Sequence, residues 1–150
     1  KTDGVRFVMA GSGDMMNKMI DLVAQRGIAD KFHFPGFMRG RQVQEVLADS
    51  DVYIMPSVSE PFGISPLEAM QVGCPSIISH QSGCAEILSH VIKTDYWDID
   101  AMADAIYAIV KYPAMYKSLR ELGRDEVNNI KWYDVGLKVR RIYDMVISGC

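Results

Sequence analysis

Short apolar runs that look like buried strands alternate with helical segments along most of this chain, and no other sequence feature constrains its fold as strongly. The runs lie at residues 5–10, 31–34, 51–56 and 75–79, with a weaker one at 91–93. Pro35 and Gly36 are expected to break the second run, and residues 41–48 are predicted to form a short helix. Parallel strands require crossover connections, and the intervening helices supply them. The alternation therefore predicts an α/β fold with a doubly wound, parallel sheet and flanking helices.

The chain becomes helical after residue 98. Periodic apolar positions predict three consecutive helices, at residues 100–111, 113–131 and 134–147. Asp98 and Pro113 are residue types that mark helix starts, and we expect the first two helices to begin there.

The bulk composition is that of one globular domain, because 150 residues with 49% hydrophobic and 23% charged residues can form a proper core. The net charge of −3 gives no electrostatic basis for binding nucleic acid. Three cysteines without C-x-x-C spacing predict reduced thiols in a cytoplasmic protein, with Cys74 and Cys84 as packing residues. No apolar run approaches the roughly 20 residues of a membrane span. The chain lacks an initiator Met, so we expect it to be part of a longer protein.

Residues 59–68 stand out between a strand-like run that ends at Pro56 and a predicted helix at 66–72. Their order is Ser-Glu-Pro-Phe-Gly-Ile-Ser-Pro-Leu-Glu. In open α/β sheets, ligands bind beyond the carboxyl ends of the strands. This segment therefore occupies the position where a ligand is expected.

The residue types in this segment suit phosphate and sugar groups. Backbone N–H groups around Gly63 and Ile64, at the start of a helix, favour a phosphate. Gly63 has no Cβ, so a ligand can approach its backbone closely. Glu60 and Glu68 can accept hydrogen bonds from sugar hydroxyls.

An alternative explanation of the same segment is purely structural. Ser65 is a good N-cap, Pro66 suits the first helical position, and Glu68 follows the cap by three residues, which is the spacing of a capping box. Glu68 would then only cap the helix, and Glu60 would be a solvated loop acid. The residues alone indicate an anion or nucleotide site without deciding between these roles.

The wider pattern points to a known family. Seven residues separate Glu60 from Glu68, Pro-Phe-Gly lies between them, and Glu68 begins Glu-Ala-Met, followed by Gly-x-Pro. This resembles the E-x7-E signature of the retaining nucleotide-sugar glycosyltransferases of family 4, the group 1 enzymes related to glycogen synthase and sucrose synthase. The likeness runs from residue 7 to 143 and concerns only the C-terminal half of such enzymes. It implies that residues 1–150 are the Rossmann-like, donor-binding domain of a two-domain GT-B enzyme whose N-terminal acceptor domain lies outside this chain.

The resemblance also implies roles for individual residues. Glu60 would be the catalytic residue that faces the donor sugar, and Glu68 would hold the ribose hydroxyls. The turn that would bind the sugar and diphosphate consists of Phe62, Gly63, Ile64 and Ser65. The full enzyme would transfer a hexose from a UDP-, ADP- or GDP-sugar to a hydroxyl of a carbohydrate or another acceptor, with retention of the anomeric configuration. No metal and no cofactor are expected.

Two further sets of donor-binding candidates come from the first part of the chain. Gly11 and Gly13 form a G-x-G turn after the first strand, but Met16 replaces the third glycine of a dinucleotide fingerprint, so a plain β–α turn is the alternative. The resemblance places this turn at the donor cleft. It also places His33 near the nucleobase, with packing beside two phenylalanines as the alternative.

The chain departs from the family pattern at its start. Donor domains of the family open with another, central strand whose following turn carries an Arg and Lys pair for the diphosphate. We expect this first strand to be absent, which would leave a gap in the sheet, allow self-association there and make the isolated chain inactive. The last helix would expose an apolar face, because in complete members it reaches the other domain. Two alternative functions stay open: a non-catalytic nucleotide-binding or regulatory module, and an epimerase-like relative of the same architecture.

Overall fold

The computed structural model describes residues 4–149, which form two compact units divided in sequence between Val43 and Gln44. Both units contain parallel strands joined by helices, so the predicted α/β class is confirmed. The five strands within residues 4–149 form two sheets, one in each unit, whereas one interrupted sheet was expected. The absence of the family's first, central strand from this sheet stays a prediction.

In the first unit, strand β1 (Phe7–Ala10) is followed by helix α1 (Met16–Gln25), a single 3-10 turn (Ala29–Lys31) and strand β2 (Phe32–Gly36). The two strands are parallel neighbours. Helix α2 (Arg41–Ala48) has the predicted bounds and crosses the division between the units.

The pairing of β1 with β2 is set by aromatic contacts at their first residues. The rings of Phe7 and Phe32 stack with their centroids 4.7 Å apart. Pro35 and Gly36 were expected to end β2, and that prediction is wrong because both belong to the strand. The register shifts along β1 before Ala10, and proline is tolerated in a strand at such an irregularity.

The second unit holds a parallel sheet in the order β3-β4-β5. Its strands are β3 (Tyr53–Met55), β4 (Ser76–Ser79) and β5 (Ile92–Thr94), so the weak fifth strand is confirmed. Helix α3 (Ser65–Gln71) connects β3 to β4, and a short 3-10 helix (Gly83–Glu86) lies between β4 and β5.

Strand β4 is the centre of this unit, and all four of its residues are buried. Ile78 belongs to a cluster with Met55 and Met70, whereas its neighbour Ile77 packs in a second cluster with Ile109. Successive residues of a strand point to opposite faces, so both faces of the sheet are covered. This double coverage explains why the run is continuously apolar at its centre.

Within the described residues, three helices follow β5: α4 (Ile99–Lys111), α5 (Pro113–Asn128) and α6 (Trp132–Ile147). The predicted starts of α4 and α5 are confirmed. Asp98 caps α4 by accepting a hydrogen bond from the Ala101 N–H at 2.9 Å, and α5 begins at Pro113. Helix α6 begins two residues before its predicted start, and its apolar side chains are largely exposed, as expected. Across residues 4–149, no helix combines the length and apolar character needed to cross a membrane.

Candidate functional site

The loops that follow β3 and β4 lie side by side beyond the carboxyl ends of these strands. The Gly83 N–H donates to the Glu60 carbonyl at 2.9 Å, and the Cys84 N–H donates to the Phe62 carbonyl at 2.7 Å. Together with a parallel bridge between Glu60 and Ser82, these bonds resume the pairing of the two strands. The predicted catalytic carboxylate is therefore carried by a loop whose backbone is held by its neighbour.

Residues 56–64 connect β3 to α3, and we call this segment the Glu60 loop. Gly63 lies at its tightest point. Its φ of +89° is in the left-handed region that favours glycine. A Cβ at this position would lie 2.8 Å from Met55 Cε and 3.2 Å from Glu60 Cγ. The missing side chain thus leaves room for the stem of the half-buried Glu60, a packing reason in addition to the predicted approach of a ligand.

The capping box, which was the alternative explanation of this segment, does not form at the start of α3. Ile64 is the N-cap, Ser65 is already helical, and no side chain of the described residues caps the helix. The Tyr53 hydroxyl of β3 donates to Ser65 Oγ at 2.7 Å, and Ser65 Oγ lies 3.7 Å from Met55 Sδ. A tertiary partner therefore holds the hydroxyl that the local pattern assigned to the helix end.

Glu68 is released from capping by this arrangement. The residue is exposed, and within residues 4–149 its carboxylate has no hydrogen-bond or ion-pair partner. Its backbone N–H donates to the Ile64 carbonyl as part of the first helical turn. The alternative in which Glu68 serves as a helix cap does not hold, and the carboxylate is open to a ligand.

The turn between the two carboxylates offers apolar surface as well. Phe62 and Ile64, on either side of Gly63, are 41% and 66% exposed. Exposed apolar groups beside an unpartnered carboxylate suit a ligand that has a carbon face and hydroxyl donors. The structure thus brings Glu60, Phe62, Gly63, Ile64, Ser65 and Glu68 together in one loop and helix start.

Tyr53 keeps its proton in this setting. Burial raises the pKa of its hydroxyl, while the bond to Ser65 lowers it to a smaller extent. The negative charges of Glu68 and Glu60 raise it further. The phenol is therefore a stable hydrogen-bond donor to the start of α3.

Cys74 and Cys84 are free, buried thiols. Burial, with a further contribution from Asp51, raises the pKa of the Cys74 thiol to about 12. Burial also raises the pKa of Cys84, which is fully inaccessible beside the Glu60 loop. Both side chains are buried, at 2% and 0% exposure, so their predicted role as packing residues is confirmed.

The candidates Gly11 and Gly13 form a tight β–α turn within the first unit. The Gly11 N–H donates to the Gly36 carbonyl at 2.8 Å, and the Gly13 carbonyl accepts from the Met16 N–H at 3.1 Å. The turn borders a depression of about 230 Å³ that methionines, including Met9, line. These backbone hydrogen bonds give the turn a structural role, and its role in binding a ligand stays a prediction.

His33 lies in β2 and is exposed, whereas its neighbours Phe32 and Phe34 are half-buried. The alternation of a strand places the ring on the face opposite to the phenylalanines. The alternative of a packed histidine therefore does not hold.

Sequence reasoning missed Tyr53 and Ser79 as residues that hold the site. Their partners are distant in sequence: Tyr53 is 12 residues from Ser65, and Ser79 Oγ donates to the Ser57 carbonyl, 22 residues away. No local pattern signals such contacts. In residues 4–149, no group of three or more His, Cys, Asp or Glu side chains could hold a metal ion, and catalysis without a metal stays a prediction.

Comparison with known proteins identifies relatives of this chain. Residues 1–126 match the family model described as "Glycosyl transferases group 1". An uncharacterized glycosyltransferase of Methanocaldococcus jannaschii is 45% identical over 74 residues, which cover 49% of this chain and 19% of the relative. The phosphatidylinositol N-acetylglucosaminyltransferase gpi3 subunit of Schizosaccharomyces pombe is 31% identical over 150 residues, covering 96% of this chain and 32% of the relative. The chain thus spans a third or less of the length of these two relatives.

Solved structures show the same fold. HepE of Anabaena, crystallised with UDP-glucose, superposes with a TM-score of 0.80 at 18% identity, covering 98% of this chain and 42% of that one. Sucrose-phosphate synthase of Thermosynechococcus elongatus superposes with a TM-score of 0.79 at 24% identity, covering 95% and 39%. These partial coverages are consistent with one half of a two-domain GT-B architecture.

Proposed function

This chain belongs to the group 1 glycosyl transferases, and from that membership we propose that it is the donor-binding domain of a retaining hexosyltransferase. The full protein transfers a hexose from a nucleoside diphosphate sugar to an acceptor hydroxyl in carbohydrate biosynthesis, with the anomeric configuration kept. One observation carries the proposal: Glu68 is exposed, has no partner in the described chain, and follows a loop that also holds Glu60.

In the proposed site, Glu68 binds the ribose hydroxyls and Glu60 faces the donor sugar. Backbone N–H groups of Gly63 and Ile64 lie at the turn between them and bind the sugar and diphosphate. Ser65 accepts from Tyr53, so its own proton faces only the Met55 thioether, a weak acceptor. That proton can rotate towards a phosphate oxygen.

The reaction requires stabilisation of the departing nucleoside diphosphate. We propose that backbone donors and the rest of the full-length protein provide it without a bound metal or cofactor. Because the chain covers only part of its relatives, the acceptor site and further basic groups belong to the whole protein. On this proposal, the isolated chain binds the donor and does not turn it over.

The donor is a UDP-, ADP- or GDP-hexose, and uridine is the first candidate because HepE was crystallised with UDP-glucose. The acceptor is a carbohydrate or another hydroxyl compound. Gly11, Gly13 and His33 are donor-binding candidates of the first unit, supported by the open glycine turn and the exposed ring. A cytoplasmic location and self-association through sheet edges complete the proposal.

Ligand-observed NMR tests the donor site with UDP, ADP and GDP and their glucose or mannose conjugates. We expect one nucleotide to bind, and Glu68→Ala to abolish binding without unfolding the protein. Glu121→Ala is the matched control, since Glu121 is an exposed glutamate of α5. Binding that survives Glu68→Ala would refute the assigned role of Glu68. Binding without turnover by the full-length protein would instead favour a regulatory nucleotide-binding module.

A further inference from the structure

The Glu60 loop is anchored through one buried side chain of β4. Ser79 is fully buried, and its hydroxyl donates to the Ser57 carbonyl at 2.6 Å. Ser79 Oγ also lies 2.9 Å from Ser82 Oγ. A serine hydroxyl has one proton, so Ser82 is the donor in this second bond. The last residue of β4 thus ties the beginning of the Glu60 loop to the loop that follows β4.

Backbone contacts tie the same two loops together three to five residues further along each loop. Gly83 N–H and Cys84 N–H donate to the carbonyls of Glu60 and Phe62. A Cβ on Gly83 would overlap the Pro61 carbonyl oxygen, so only glycine permits this approach. We call the contacts of Ser79, Ser82, Gly83 and Cys84 with the Glu60 loop the inter-loop network.

The inter-loop network contacts the backbone of the Glu60 loop and makes no contact with Glu68. Its acceptors are the carbonyls of Ser57, Glu60 and Phe62, all before α3. Glu68 stands in α3, whose first turn is held separately by the Tyr53 hydroxyl. The backbone segments that carry the two carboxylates are therefore held by different contacts.

We propose that Ser79 and Gly83 are positioning residues for Glu60, and that they set the placement of the sugar-facing carboxylate independently of nucleotide binding. This inference rests on the proposed function, in which Glu60 faces the donor sugar and Glu68 holds the ribose. Loss of the network displaces Glu60 while the nucleotide contacts of Glu68 remain. A displacement of about 1 Å at a reacting group can lower a rate by about a hundredfold.

Ser79→Ala in the full-length protein tests the inference, with Ser76→Ala as the matched control. Ser76 is a fully buried serine of the same strand, but its hydroxyl donates to the Cys74 carbonyl at the other end of β4. Three quantities are measured: release of nucleoside diphosphate from UDP-, ADP- and GDP-glucose, the dissociation constants of UDP, ADP and GDP, and the Glu60 carboxyl resonance after 13C-glutamate labelling. Ser82→Ala, which removes only the outer donor, is the second variant if Ser79→Ala does not fold.

We expect Ser79→Ala to lower turnover about ten- to a hundredfold, to shift the Glu60 resonance and to change nucleotide affinity less than about twofold. Ser76→Ala should leave the turnover and the Glu60 resonance unchanged. An unmoved Glu60 resonance in Ser79→Ala, or in Ser82→Ala where Ser79→Ala does not fold, would overturn the inference, whatever the rates. If the wild-type protein turns over no donor but the resonance still shifts, the proposed function fails while the positioning of Glu60 stands.

Discussion

The carboxylate of Glu126 fastens α5 to the segment between the 3-10 helix and β5. One oxygen accepts from the Ser89 N–H at 2.8 Å, and the other accepts from the His90 N–H at 2.9 Å and lies 3.2 Å from His90 Nδ1. The Glu126 side chain is only 16% exposed. We expect Glu126→Gln to destabilise the protein, because the amide retains one acceptor oxygen and opposes an N–H with another donor.

The expected loss follows from these contacts. Hydrogen bonds to a charged group contribute about 1.5–3 kcal/mol each when shielded, and Ser89 is exposed, so water replaces part of the lost interaction. We therefore expect Glu126→Gln to lower the free energy of unfolding by about 1–2 kcal/mol at pH 7. Glu121→Gln, on the same helix, should cost less than about 0.5 kcal/mol because its pair with Lys117 is exposed.

The effect should weaken once acid protonates the Glu126 carboxyl. Burial raises the pKa of Glu126, but the hydrogen bonds from His90 and Ser89 outweigh it and lower the pKa below its ordinary value of 4.5. A carboxyl with a lowered folded-state pKa stabilises the protein above its ordinary pKa, and this contribution disappears as the pH falls through the lowered value. The difference between wild type and Glu126→Gln should therefore shrink in acid.

Urea denaturation followed by circular dichroism at pH 7 and at about pH 3 measures these differences. A Glu126→Gln effect that stays constant between the two pH values would refute the role of the charge. A loss no larger than that of Glu121→Gln would refute the role of the contacts.

Three further predictions concern the site. In a Cys150→Ser background, Cys74 and Cys84 should resist a thiol reagent in the native protein and react after unfolding in urea. Burial shields both thiols and raises their pKa values. Rapid labelling of the native protein would contradict this prediction. Gly63→Ala should destabilise the protein by about 2–3 kcal/mol in urea denaturation, from the positive φ and the crowded neighbours, and a neutral effect would show that the turn can relax. Tyr53→Phe should cost about 1 kcal/mol and weaken nucleotide binding by calorimetry, since the start of α3 loses its partner; unchanged stability would exclude that hydrogen bond.

Local patterns predicted most of the fold correctly. The bounds of α2 and the starts of α4 and α5 agree with the structure, because amphipathic periodicity, an Asp cap and a first-turn proline act within a few residues. The alternation of strands and helices predicted parallel pairing, because a helix between two strands supplies the crossover that parallel strands require. The family resemblance, carried by the spacing of Glu60 and Glu68, agrees with the matched family model.

The site departs from local expectation where distant residues compete for the same groups. Ser65 has the sequence of an N-cap, but Tyr53 and the packing of the preceding turn place it inside the helix. Pro35 looks like a strand end, yet it lies within β2 beside an irregular register.

Short-range sequence thus decided which segments became helices and strands, because capping, turn geometry and hydrophobic periodicity depend on residues close in the chain. Tertiary structure alone decided that Glu68 is free of the helix end and that the Glu60 loop is anchored by Ser79 and Gly83. Those outcomes depend on hydrogen bonds between strands brought together by the sheet, and the chain order contains no local signal for them.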